Sequence, residues 1–205
     1  MQQEHIIEGL LKASEQLLNT KLDRCDIENI LSISEIQMFQ KGDIIQRIGE
    51  KFFYTGLVLE GMVRSYYLDK DGNEITKFFH KEFNLFMDEG LIGYKKTIST
   101  YETIENSMVL FMNTEKLKKL ITKDEKFKDI YIAALESGMR YKIRRENEFL
   151  VNNATERYLQ FEKEYPDLID RVKQSYISTY LGITPESLSR IRKTLKEGAD
   201  NYGKT

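Results

Sequence analysis

The residues best equipped for chemistry lie near the carboxyl end, in Gln174 to Lys193, QSYISTYLGITPESLSRIRK. Glu186, Ser189, Arg190 and Lys193 follow one another at i, i+3, i+4 and i+7, which puts them on one face of an α-helix. Leu188, Ile191 and Leu195 fall on another face. Arg can donate two hydrogen bonds to a guanine edge and Glu can accept one from the cytosine amino group, so Glu186, Ser189 and Arg190 are the candidate readers of base pairs. Ser175, Tyr176, Ser187 and Lys193 are the candidates for phosphate contacts, which fix register and supply salt-sensitive affinity. From Lys173 to Lys196 there are five cations, Lys173, Arg190, Arg192, Lys193 and Lys196, against Glu186 alone, a local net charge of +4 in a chain of net charge −2. This one region is suited to meeting an anionic partner.

Such a face needs a scaffold. The same stretch reads as two helices joined by a sharp turn, a helix-turn-helix. Gly182 supplies a left-handed backbone position that a Cβ would oppose. Ile177 and Leu181 before the turn, and Ile183, Leu188 and Ile191 after it, are apolar where the helices must lock together. Ser178 is small where they pass closest. Thr184 can cap the second helix, and Pro185 fits its first turn, where no hydrogen-bond donor is needed.

The rest of the chain divides by texture. Residues 3 to 18 and 22 to 33 have helical apolar spacing. Ser34 to Met112 breaks into short apolar and aromatic runs separated by turn residues, with room for about eight strands rolled into a barrel or sandwich. Asp69-Lys70-Asp71-Gly72 has the chemistry of a hairpin turn. Asp124 to Val151 contains no proline and predicts one long helix. Its small residues Ala133, Ala134, Ser137 and Gly138, flanked by Ile130, Leu135, Met139 and Tyr141, suggest the seam of a homodimer. Packing against the chain's own barrel is the alternative. Asn152-Asn153 ends that pattern, and a helix from Ala154 to Tyr165 is stopped by Pro166. These readings place a domain over 1–151 and a second over 152–205.

Composition narrows the function classes. The 205 residues contain one cysteine, Cys25, and two histidines, His5 and His80. One cysteine excludes an intrachain disulfide and a cysteine-held zinc or iron-sulfur site. Cys25 itself reads as an inert helix residue and His80 as a structural one. The longest wholly apolar run is Met108 to Met112, far short of a membrane span. A soluble protein of the reducing cytoplasm, with no membrane partner, is expected.

In its order of elements the chain resembles the Crp/Fnr family of bacterial transcription regulators. The resemblance rests on FQKGDIIQRIGE (Phe39 to Glu50), LVLEGMVRSYYLDKDGNEIT (Leu57 to Thr76), the linker helix ATERYLQFEKEYPDLIDRV and the E-S-L-S-R run of Glu186 to Arg190. It implies an α+β architecture: an N-terminal β-roll of the double-stranded β-helix or jelly-roll type with flanking helices, a long dimerisation helix, and a C-terminal helix-turn-helix domain. It implies no enzyme but a homodimer that binds double-stranded DNA at an inverted repeat of TTGA-like half-sites, with RNA polymerase as a further partner. Two-fold symmetry would set the half-sites about one helical turn, ~34 Å, apart.

Two departures from the family pattern stand out. Cyclic-AMP-binding members carry a Gly-Glu and an Arg-Ser pair around the phosphate; this chain has FNLFMDEGLIGYKKTIST, with Thr97-Ile98 at the Arg-Ser positions and Lys142-Ile143 facing the base. Cyclic AMP is therefore not expected, and the effector is another molecule or none. Arg64, Lys95, Lys96 and Lys142 are the candidate effector-pocket residues. The aromatics Phe52, Phe53, Tyr54, Tyr66, Tyr67, Phe78 and Phe79 could instead fill the roll. The second departure is that only GADNYGKT follows Glu197, so the usual β-hairpin wing is expected to be missing. A cupin-like metal-binding barrel enzyme and a protein-interaction module are the alternatives. No cofactor and no metal are expected, since two histidines cannot assemble the usual multi-histidine site.

Overall fold

A computed structural model describes residues 2–18, 22–51, 53–86 and 88–202. Two helices, α1 (Gln2–Leu18) and α2 (Arg24–Ser32), precede eight strands, the number expected. The strands are β1 (Ser34–Phe39), β2 (Ile44–Gln46), β3 (Tyr54–Glu60), β4 (Val63–Leu68), β5 (Glu74–His80), β6 (Leu85–Phe86), β7 (Thr100–Thr103) and β8 (Ser107–Asn113). They form two four-stranded sheets, in the orders β1-β8-β3-β6 and β2-β7-β4-β5. A single 3₁₀ turn, Asp88–Gly90, interrupts the run between β6 and β7.

Strands β3 and β8 are central and nearly wholly buried because both faces of their sheet are covered. One face presents Leu57, Leu59, Met108, Leu110 and Met112 to Ile6, Leu10, Ile27, Leu117 and Phe127 of the surrounding helices. The alternate residues Val58, Val109 and Phe111 turn inward and meet Val63 and Tyr101 of the other sheet. Gly56 is required here by contact: a Cβ on it would stand 2.4 Å from the Phe86 ring.

The helices that follow are α3 (Thr114–Lys123), α4 (Glu125–Val151), α5 (Ala154–Glu164), α6 (Leu168–Arg171), α7 (Gln174–Leu181) and α8 (Pro185–Tyr202). Helix α4 starts where Asp124 accepts from the backbone N–H groups of Lys126 (2.9 Å) and Phe127 (3.3 Å). Helix α5 starts at a reciprocal box, in which Asn153 accepts from the N–H of Glu156 and Glu156 accepts from that of Asn153. Helix α8 continues through Tyr202, over most of the segment after Glu197; residues 203–205 lie outside the described ones. Among the described residues no helix is long and apolar enough to cross a membrane.

By its internal contacts the chain forms two compact units, Met1–Tyr67 with Lys77–Tyr141, and Leu68–Thr76 with Lys142–Thr205. The nine-residue piece Leu68–Thr76 is the tip of the β4–β5 hairpin. Its turn is the one expected: the Asp69 carboxylate accepts from the N–H groups of Asp71 and Asn73, each at 2.8 Å. Inside the second unit, the Thr76 N–H donates to Thr179 Oγ1 at 3.3 Å, and the two hydroxyls are 2.8 Å apart.

Candidate functional site

In the second unit the helix-turn-helix has the geometry its residues call for. Gly182 sits at φ 68°, ψ 37°, its N–H bonded to the carbonyls of Ser178 and Thr179. The Ile183 N–H reaches the Ser178 carbonyl at 3.0 Å, which closes the left-handed cap of α7. Ile177, Ser178, Leu181 and Leu188 are fully buried at the helix crossing, while Ile183 and Ile191 are half-buried. Behind them Tyr158 and Phe161 of α5, Leu168 of α6 and Tyr180 of α7 complete a small core, with Phe161 and Tyr180 rings 5.3 Å apart.

Two arginines hold the turn in a way that the sequence reading missed. Arg145 donates from Nη2 to the Tyr180 carbonyl at 2.7 Å and lies over the Tyr180 ring, 3.9 Å from its centre. Arg157 donates from Nε to the Leu181 carbonyl at 3.0 Å. Cations on the last carbonyls of α7 satisfy orphan acceptors and oppose the negative end of the helix dipole. Phe149 closes the same corner, so near that a Cβ at Gly182 would lie 2.7 Å from its ring. No local motif announces these partners, since they come from 24 to 35 residues upstream.

The start of α8 is fixed by Thr184, whose Oγ1 accepts from the Ser187 N–H at 3.2 Å. Glu186, Ser189, Arg190 and Lys193 are all exposed, on the opposite side from Leu188. The Glu186 carboxyl is held below its ordinary range by its own backbone N–H, by the Thr184 hydroxyl and by the charge of Arg190. It is an anion at neutral pH that also complements the helix N-terminus. Arg190 lies 3.5 Å from Ser187 Oγ, and Lys193 is 3.8 Å from Glu197 in an exposed, weak pair. Ser175 is exposed, Ser187 and Tyr176 are half-buried, and Lys173 lies over the Tyr176 ring. The candidate base and phosphate groups thus occupy the ends and outer face of two locked helices.

The interior of the roll is different. Phe86, Tyr101 and Phe111 pack against one another between the sheets, with ring centres 5.6 Å and 6.1 Å from Phe86. Of the aromatics expected to fill this space, Tyr66 and Phe79 are buried, but Phe53 and Tyr67 face solvent, and Phe52 lies outside the described residues. His80 is buried beside Phe86 and Tyr101; one ring nitrogen is 3.0 Å from Ser65 Oγ and the other 3.1 Å from the Leu85 carbonyl. Burial, aided by the nearby Lys77 charge, pushes its pKa down to about 3, so the imidazole is neutral.

Polar groups in this interior bind one another. Glu89 accepts from Lys77 Nζ at 2.5 Å and from the Tyr101 hydroxyl at 2.7 Å. Burial opposes its ionisation, yet the Lys77 charge and the two hydrogen bonds outweigh burial and hold the carboxyl below its usual value. Arg64, with no exposed surface, pairs with Glu102 at 2.8 Å and lies over the Tyr66 ring. Thr97, at a position where a cation would be wanted, is buried and donates to the Ser99 carbonyl; Ile98 is partly exposed. Lys95 and Lys96 are exposed in the first unit, and Lys142 is exposed on α4 in the second. A buried carboxylate on the available lysine, and an arginine held by Glu102, do not fit a cyclic phosphate.

Comparison with known proteins places these features in a family of folds. Residues 36–124 match the family model of the cyclic nucleotide-binding domain. FixK2 from Bradyrhizobium japonicum superposes with a TM-score of 0.71 at 22% identity, covering 82% of this chain and 86% of that one. The c-di-GMP-responsive global regulator CLP from Xanthomonas campestris gives 0.71 at 16% identity, over 86% and 93% of the two chains. A protein from Eubacterium rectale described as a transcriptional regulator of the Crp/Fnr family gives 0.69 at 16% identity, over 86% and 85%. No curated protein sequence matches the chain. The α+β fold is therefore that of the Crp/Fnr regulators, as the sequence resemblance implied, and the similar solved structures described by function are regulators rather than enzymes.

Proposed function

We propose that this chain is a cytoplasmic, homodimeric, sequence-specific DNA-binding transcription regulator, with its DNA-binding domain in residues 152–205 and a sensing domain in residues 1–151. The observation that supports this most is the presentation of Glu186, Ser189, Arg190 and Lys193 along one exposed face of α8, whose other face is anchored by fully buried Leu188. In this reading Arg190 makes a bidentate contact to guanine, and Glu186 and Ser189 contact neighbouring base edges. Ser175, Tyr176, Ser187 and Lys193 hold phosphates. The exposed apolar residues Leu135 and Met139 of α4, together with the open surface around Gly138, supply the seam on which two copies pair. Pairing would present two reading helices to successive major grooves of an inverted repeat, and RNA polymerase is the further partner the reading implies.

The effector in this reading is a molecule other than cyclic AMP, or there is none. Lys77 already carries the Glu89 carboxylate, Arg64 carries Glu102, and a phosphate brought to this interior would meet Glu89 at close range. Selection from random DNA duplexes tests the main proposal: enrichment of one palindrome is expected. Failure to enrich any, at low salt and with or without cell extract, would overturn it. Calorimetric titration with cyclic AMP is expected to show no binding.

A further inference from the structure

At one end of the roll the two sheets part around an open groove of about 650 Å³, within the size range of small-molecule sites. It lies wholly in the first unit and shares no residue with the Glu89 network or with α8. Its floor is aromatic. Phe39 and Tyr54 meet Phe111 edge to face, at 6.0 Å and 5.9 Å between ring centres. The Phe53 ring on the rim is 61% exposed and, among the described residues, packs against no other ring.

Two lysines stand on the same wall. Lys51 and Lys96 are direct partners in an isolated antiparallel β-bridge, and both are exposed. Residues directly opposite in such a bridge project to one side, so two like charges are held together, an arrangement that destabilises strand pairing. Among the described residues neither lysine has an ion-pair partner. The neighbouring Glu50 turns its carboxylate back to accept from the Arg47 N–H at 2.9 Å. Gln46 fixes the wall by donating from Nε2 to the Lys51 carbonyl at 2.8 Å, and among the described residues its buried Oε1 has no partner. The fold thus keeps a repulsive cation pair at the mouth of an aromatic cleft, and a ligand that is both planar and anionic relieves the repulsion while covering the exposed ring.

We propose that this groove is a binding site for small aromatic anions, with the carboxylate or phosphate on Lys51 and Lys96 and the ring against Phe53. The proposal rests on the geometry of the roll and is independent of the DNA-binding reading. The probe is 1-naphthoate, titrated into the full chain at low ionic strength and followed by calorimetry and by proton NMR. One saturable site is expected. Lys96→Glu and Lys51→Glu should each weaken it at least about tenfold, the scale of one lost charge contact, and Phe53→Ala should weaken it about fivefold. All three positions are exposed, so each variant should fold as the parent chain does, Phe53→Ala unfolding at the parent temperature and the two charge reversals at or slightly above it because the lysine repulsion is removed, and DNA binding should be unchanged. The uncharged 1-naphthalenemethanol should bind at least tenfold more weakly than the acid. Absence of a saturable site, equal binding of the acid and the alcohol, or variants that bind 1-naphthoate as the parent does would each overturn the proposal.

Discussion

The interior of the roll and the outer face of α8 both carry charged residues, and they use them in opposite ways. In the roll, Glu89 is closed on Lys77 and Tyr101, Arg64 on Glu102, and His80 on Ser65 and a backbone carbonyl. On α8 the charges of Glu186, Arg190 and Lys193 project to water with only weak local partners. Desolvated polar groups must find partners inside the protein, whereas exposed ones remain available to an outside partner. Charges in the first region therefore govern stability, and those in the second are the ones the DNA-binding proposal assigns to recognition.

Acid exposes this difference most strongly. His80 has a folded pKa of about 3 against 6.5 for the free side chain. Between those values the unfolded chain binds a proton that the folded chain refuses, so stability present above pH 6.5 is lost as pH falls toward 3. The loss from this group should be on the order of 4 kcal/mol. Glu89, with its lowered pKa, acts in the same direction at the acid end. Denaturant titrations across this range should show the decline, and His80→Gln should make it shallower. An unchanged slope would mean that His80 is not held neutral.

Removing one member of a closed pair comes next in size. Glu89→Ala leaves the Lys77 ammonium without its carboxylate and should cost about 3 kcal/mol, at the lower end for a buried pair because Lys77 keeps some solvent contact. Arg190→Ala should leave the unfolding midpoint nearly unchanged but cost ~1–3 kcal/mol of binding at a single base pair. Lys193→Ala should weaken all sequences alike and reduce the salt slope by about one. Equal effects of the two α8 variants on every duplex would merge the roles separated above. The smallest effect expected is that of Thr184→Ala, about 1 kcal/mol of stability from the lost cap, measured by thermal unfolding.

Legibility in the sequence followed the range of the interactions. The turn at Gly182, its flanking Ile177, Leu181 and Leu188, and the Thr184-Pro185 start are all set within about a dozen residues, and a linear pattern carries them. The eight strands and the Asp69 turn were equally local. The closure of Glu89, on the 3₁₀ turn, by Lys77 and Tyr101 depends on the strand order within the β2-β7-β4-β5 sheet, and Tyr101 and Phe111 became interior only through strand register. Phe53 and Tyr67, aromatic by composition, stand outside for the same reason. Arg145 and Arg157 sit in helices that look merely amphipathic, and their grip on the α7 carbonyls depends on three-dimensional packing.

The hairpin tip Leu68–Thr76 counts with the second unit although the first-unit segment Lys77–Tyr141 follows it. The two bodies are therefore interleaved along the polypeptide, and no single peptide-bond scission separates them. A fragment beginning at Lys142 would reach its folded state without Thr76 opposite Thr179. During synthesis, too, that tip leaves the ribosome long before the helices it joins, and must wait for them.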